Sequence, residues 1–193
     1  MSIQQKKYKR LRKELQFVQS ELEYVHEVLS EWHFIFEDYH REYCKRHNID
    51  LDQLNEQSSE KVDQLIPKAE KKDNGVIIYK NEKDKGVFKK LYKKIARKLH
   101  PDLGGDEKEF QEATSAMQEK NFEKILDICD KHDILVEVDE EMLKLLEKQI
   151  LDIKEQIKKE KSTYSWSLYS CADNKCKDNV VKNFLKHLFN YKE

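Results

Sequence analysis

Three groups of residues in this 193-residue chain have types and spacing that could do chemistry. The first is His100-Pro101-Asp102, an imidazole and a carboxylate on either side of a ring that fixes the backbone. It follows directly on Lys85, Lys89, Lys90, Lys93, Lys94, Arg97 and Lys98, which lie between residues 85 and 99 with no acid among them. An acidic partner would meet that stretch first. The second group is His26, His33, His40 and His47, one every seven residues. Neighbours separated by about 10.5 Å of helical rise cannot share a metal ion. His40, Cys44 and His47 do share a face, and with a fourth ligand could bind zinc; histidines flanking a coiled-coil seam are the preferred reading. The third group is Cys171 and Cys176 with His187, whose spacing does not match the common zinc knuckles. All four cysteines, Cys44, Cys129, Cys171 and Cys176, are scattered and read as reduced thiols. His100 has no nucleophile near it in sequence, so no enzymatic activity, metal or cofactor is expected.

The elements that must position these groups are helical. The chain carries 37 Lys+Arg against 38 Asp+Glu, with only 4 Gly and 2 Pro. Sandwiches and barrels need a turn signal about every 8–12 residues and are poor candidates on that ground. All six breakers, Pro67, Gly75, Gly86, Pro101, Gly104 and Gly105, fall between residues 67 and 105, so two helical arms flank a punctuated centre. In the first arm Tyr8, Leu11, Leu15, Val18, Leu22, Val25, Leu29, Trp32, Phe36, Tyr39 and Tyr43 alternate three and four apart, an a/d seam along a rod of about 60 Å. Asn48-Ile-Asp50 is expected to end it, with Asp50 capping a shorter helix through Leu51, Leu54, Val62 and Leu65. A second seam runs through Leu143, Leu146, Ile150, Ile153, Ile157 and Tyr164, after the candidate cap Asp139. An isolated seam is unstable in water, so the arms are expected to pair with each other, antiparallel; an intermolecular pair is the rival. The first seam is longer by about two heptads, which leaves some of it for a dimer partner or for the amphipathic stretch 178–189. Val76 to Tyr79 is read as linker, because a lone strand has no ladder partner.

In the centre, Phe88, Leu91, Ile95 and Leu99 share one helical face and Lys89, Lys90, Lys93, Lys94, Arg97 and Lys98 cover the rest. Pro101 stops that helix, Asp102-Leu-Gly-Gly-Asp106 forms a tight loop, and a second helix from about Glu107 carries Phe110, Ala113, Ala116 and Met117 on one face. These residues resemble a J domain, the DnaJ-type co-chaperone module. Tyr92, Lys93, Ile95, Ala96 and Leu99 stand where the family's second helix carries a tyrosine, a basic residue, an aliphatic, an alanine and an aromatic or aliphatic; Phe110 and Ala116 resemble residues of its third helix. His-Pro-Asp-x-Gly-Gly-Asp-Glu is similar to the short-loop J domains of polyomavirus tumour antigens and to small coiled-coil J proteins of bacteria and large DNA viruses. The resemblance covers about residues 86 to 120. The family's Tyr-x-x-Leu-Gly first helix has no counterpart ahead of residue 86, so the arms are the elements expected to replace it. Leu103 stands where a basic residue commonly follows the tripeptide, and the zinc module and Gly/Phe-rich linker are missing.

The resemblance implies a partner of a DnaK-type (Hsp70) chaperone that stimulates its ATP hydrolysis. His100, Pro101 and Asp102 would dock, Asp102 on a chaperone arginine; Tyr92 would add an aromatic contact, and Lys89, Lys90, Lys93, Lys94, Arg97 and Lys98 the attraction. The alternatives are a coiled-coil scaffold with a degenerate J-like segment, and a basic module for nucleic acid. The lysine-rich run lacks the bidentate fork of arginine, which weighs against nucleic acid. Trp32, Phe34, Ile35 and Phe36 could hold a client, although core packing where the arms meet the centre is preferred. Tyr164-Ser-Trp166-Ser-Leu-Tyr169 reads as a cap or a patch. The expected organisation is all-α: an arm with a short helix at 1–66, a linker at 67–85, a J-like domain at 86–135, a returning helix at 136–170 and a terminal amphipathic helix at 171–193. No apolar run reaches the ~18 residues of a membrane span, and Met1 to Lys7 is no secretion signal, so an intracellular site, cytoplasmic or nuclear, is expected.

Overall fold

A computed structural model of the protein describes residues 2–51, 54, 82–119 and 121–189, without the side chains of 82–85. Those residues are all-α: α1 (Ile3–Arg46), α2 (Glu82–Leu99), a 3-10 turn (Pro101–Leu103), α3 (Glu107–Gln118), α4 (Phe122–Lys131), α5 (Glu140–Glu160), α6 (Tyr164–Tyr169) and α7 (Asn174–Phe189). None of these helices is long and apolar enough to cross a membrane. The chain forms two compact units, one of residues 1–20 and 73–154, the other of residues 21–72 and 155–193.

In the first unit the predicted seam is buried at Leu11, Leu15 and Val18 of α1 and at Leu143, Leu146, Ile150 and Ile153 of α5. The helices pair, but not in the expected direction. Lys7 Nζ lies 2.8 Å from Glu147 and Lys154 Nζ lies 2.6 Å from Glu14. Seven residues forward on α1 is seven residues forward on α5, so the two run parallel. An a/d pattern reads the same in either direction, and the chain between residues 47 and 139 is long enough to return to the start of α1. α5 also buries Met142, Leu145 and Gln149, a stripe wider than a two-per-heptad seam, as a helix packed on two sides requires.

The centre of this unit is three helices. Phe88, Leu91, Ile95 and Leu99 of α2 are buried as their spacing predicts, with Ala113 and Ala116 of α3. α2 starts at Glu82, inside the expected 67–85 linker. α4 adds Phe122, Ile125, Leu126, Ile128 and Cys129, and the ring of Phe122 lies on Phe88 at 5.3 Å. α1 is tied to α4 by Arg12, buried to 6% exposure, whose Nη2 reaches Asp127 and, at 3.2 Å, Asp130. Burial raises the Tyr8 hydroxyl to about 12 and the Cys129 thiol to about 11.

The second unit is built on the remainder of α1. A buried cluster of Phe36, Tyr43, Cys44, Leu168, Val181 and Leu185 joins α1 to α6 and α7. The surplus length of the first seam is therefore covered from within the chain by the stretch 178–189. Trp32 packs on Tyr169 at 5.2 Å and Phe36 on Phe184 at 5.1 Å, while Phe34 is exposed. The sequence reading placed this packing where the arms meet the centre of the chain; the partners found are Tyr169 of α6 and Phe184 of α7 in the same unit. α1 ends where Asn48 takes a left-handed φ of 52° and Ile49 N bonds Cys44 O at 2.9 Å, a turn that satisfies its last carbonyls. Leu54 N bonds Asp50 O at 3.1 Å; Val62, Leu65 and Val76 to Tyr79 lie outside the described residues.

Two expectations fail in this unit. The helix predicted over 136–170 breaks at 161–163, where the Thr163 hydroxyl accepts from Trp166 N at 3.3 Å and starts α6. Cys171 and Cys176 are not free thiols but a disulfide, with Cα atoms 5.5 Å apart; Cys44 and Cys129 are reduced and buried. Ser170 ends α6 and Cys176 sits in the first turn of α7, so the short turn between the helices holds the two sulfurs together, which sequence scatter did not reveal.

Candidate functional site: the turn between α2 and α3

Local chemistry fixes this turn. His100 leaves the helix in extended conformation, φ −61° and ψ 130°, as a residue before proline must. Pro101 opens the 3-10 turn, and Leu103 N bonds His100 O at 2.9 Å. Gly104 closes it at φ 85°, a region that favours glycine, with its N–H on Pro101 O at 2.9 Å. Gly105 serves a different purpose. A Cβ there would stand 2.3 Å from the carbonyl of Leu99, so only glycine lets the loop cross the end of α2. The Asp106 carboxylate then accepts from Glu109 N at 3.0 Å and starts α3.

The ring of His100 is held on two sides. Its Nδ1 accepts the Asp102 N–H at 3.2 Å, so the neutral ring carries its proton on Nε2. Its face lies against Phe110 of α3 at 4.9 Å. The His100 side chain is 40% exposed and that of Asp102 87%. Pro101 is exposed too, and Leu103, at 69%, places an apolar side chain at the same apex. The turn offers an N–H donor, a carboxylate and an apolar contact on a rigid backbone. Among the described residues no group of three His, Cys, Asp or Glu could hold a metal ion. In the second unit His40 packs against Phe36 and Phe184, and His47 stacks on Tyr43 at 4.3 Å.

The other predicted residues separate along α2. Tyr92 is half-buried and joins the two helices through its hydroxyl, 3.1 Å from Thr114 Oγ1, which in turn donates to Phe110 O at 2.8 Å. Lys89, Lys93 and Arg97 are exposed and form no ion pair with a described residue, and Lys90 is exposed beside them. Lys94 and Lys98 are engaged by the segment after α4: Lys94 Nζ donates to Leu135 O at 3.2 Å and to Glu137 Oε1 at 2.7 Å, and Lys98 Nζ donates to His132 O. Lys94 holds the Glu137 carboxyl below its ordinary range by this hydrogen bond and by its charge. The sequence reading missed Glu137 and Gly105. The first meets Lys94 only through folding, whereas the adjacent Gly104-Gly105 pair was a visible signal of two separate demands.

No family model matches the chain, and neither a curated protein nor a solved structure matches it.

Proposed function

We propose that the protein is a J-domain-like co-chaperone that docks on a DnaK-type chaperone through His100, Pro101 and Asp102 and stimulates its ATP hydrolysis. The observation that carries this reading is the exposed, doubly braced apex: His100 fixed by Asp102 N and Phe110, Asp102 open to a partner arginine, and exposed Lys89, Lys93 and Arg97 on the helix leading to it. A preset turn loses little entropy on docking, and the cations steer it to an acidic groove. The hydrolysis belongs to the chaperone; docking shifts its conformational equilibrium only as far as the turn prefers one of its states. Residues 3–20 of α1, in the same compact unit as α2 to α4, support the reading that the first arm stands in for the family's first helix. A client held by the arms, a dimer, and a cytoplasmic or nuclear site extend the same proposal.

Single-turnover ATP hydrolysis by a DnaK-type chaperone tests it. The native protein should accelerate turnover at least tenfold, and His100→Gln or Asp102→Asn should abolish the gain. Equal rates with and without the native protein would overturn the reading. Gain that survived both substitutions would assign it to another surface.

A further inference from the structure

The segment between α4 and α5 lies along the cationic helix that the proposed docking needs. It leaves α4 where Asp133 takes a left-handed φ of 50° and Ile134 N bonds Cys129 O at 2.8 Å. From there it follows α2 backwards, His132 beside Lys98 and Leu135 and Glu137 beside Lys94, and Asp139 lines the same cleft as Lys90 and Val87. A cleft of about 230 Å³ remains between segment and helix, with Leu91 and Met142 in its wall and Lys93 and Arg97 at its rim.

We propose that residues 132–139 are a built-in competitor for the cationic face of α2, so that an acidic partner must displace Glu137 from Lys94 to use the whole face. The inference rests on the docking reading for the partner's identity but not for the competition itself. Its grounds are the way the segment is held. Among the described residues, none of the peptide groups of 135–138 bonds another peptide group, so neither helix nor sheet fixes it. Between its two anchored ends, where His132 meets Glu109 and Asp139 caps α5, the polar partner of Leu135 and Glu137 is the Lys94 ammonium, and the Glu137 side chain is 73% exposed. Leu135 faces solvent at 79% exposure. Such exposed ion pairs shift an equilibrium by only about two- to fivefold, a hold that a partner with several carboxylates can outcompete. Glu137 carries on this chain the same group that an acidic groove would present, at one of the sites where that groove would bind. With the segment in place the free attraction of this face lies with Lys89, Lys90, Lys93 and Arg97; displacement of Glu137 adds Lys94.

Glu137→Gln tests the competition, since it removes the charge at an exposed position and keeps the shape. Amine acylation read by mass spectrometry should label Lys94 and Lys98 more slowly than Lys89 and Lys93 in the native chain, and the variant should label Lys94 about two- to fivefold faster. A fluorescent penta-glutamate peptide at low salt should bind the variant more tightly by a similar factor. The chaperone concentration that gives half-stimulation should fall in step. Unchanged labelling and unchanged peptide affinity would overturn the competition even if chaperone stimulation were intact. Changed labelling and affinity with no stimulation by either protein would uphold it and overturn the docking reading instead.

Discussion

His100 and His40 are the same residue in opposite settings, and the contrast separates the two units. His100 stands at an exposed turn, its ring braced on one side by Phe110 and its proton left to a partner. His40 is stacked parallel to Phe36 and edge-on to Phe184, and its buried Nε2 has no hydrogen-bond partner among the described residues. Burial, and then Arg41, hold its pKa below the ordinary histidine value, opposed by Glu37. The first unit spends its sequence on presenting charge at a surface; the second spends aromatic rings on holding α6 and α7 to α1. A residue type alone does not say which task it serves, because the deciding variable is what surrounds it.

The contrast can be broken most severely at the aromatic cluster. Phe36→Ala removes a buried ring and should cost about 3–4 kcal/mol in urea unfolding, while leaving the turn between α2 and α3 chemically intact. His100→Gln should do the reverse, abolishing stimulation with less than about 0.5 kcal/mol of stability lost. A stability loss as large as that of Phe36→Ala would make His100 a core residue and end the comparison.

A smaller effect is expected at Arg12. Asp127→Asn leaves a buried guanidinium with exposed Asp130 as its remaining carboxylate, and about 2 kcal/mol should be lost, discounted from the cost of a fully buried pair by the exposure of the acids. Arg12→Met should cost less, because the two carboxylates it frees face water. If the order is reversed, Arg12 acts through packing and not through charge.

The smallest effect concerns pH. The folded state holds the His40 pKa below the 6.5 of the unfolded chain, so the unfolded chain takes the proton first. This contribution is fully present above about pH 6.5 and is lost as pH falls through the folded value. The urea midpoint should therefore decline on acidification from that pH, and more weakly in His40→Phe, which retains the stacked ring. An identical decline in both proteins would show that His40 does not couple to folding.

Much of this was legible in advance. The seams, the stop at Asn48, the turn at Pro101 and the buried face of α2 follow from local rules, since periodicity decides which side chains can be buried together and proline or glycine decides where the chain must turn. The direction of pairing was written in the charges but not in the seam. Residues 7, 14 and 21 are Lys, Glu and Glu, and residues 147, 154 and 161 are Glu, Lys and Lys. Lys7 with Glu147, Glu14 with Lys154 and Glu21 with Lys161 are complementary in the parallel register found here, a signal that apolar spacing cannot contain.

On its own, the amino-acid order determined that this chain is helical, which stripe of each helix is apolar, and that a rigid His-Pro-Asp turn follows a cationic face. Those properties depend on neighbours within a few residues. Folding alone decided that His40 lies beside Phe184 and that Glu137 claims one of the lysines of α2. Each of these joins groups whose encounter depends on the path of the whole chain, and local propensity carries no information about that path.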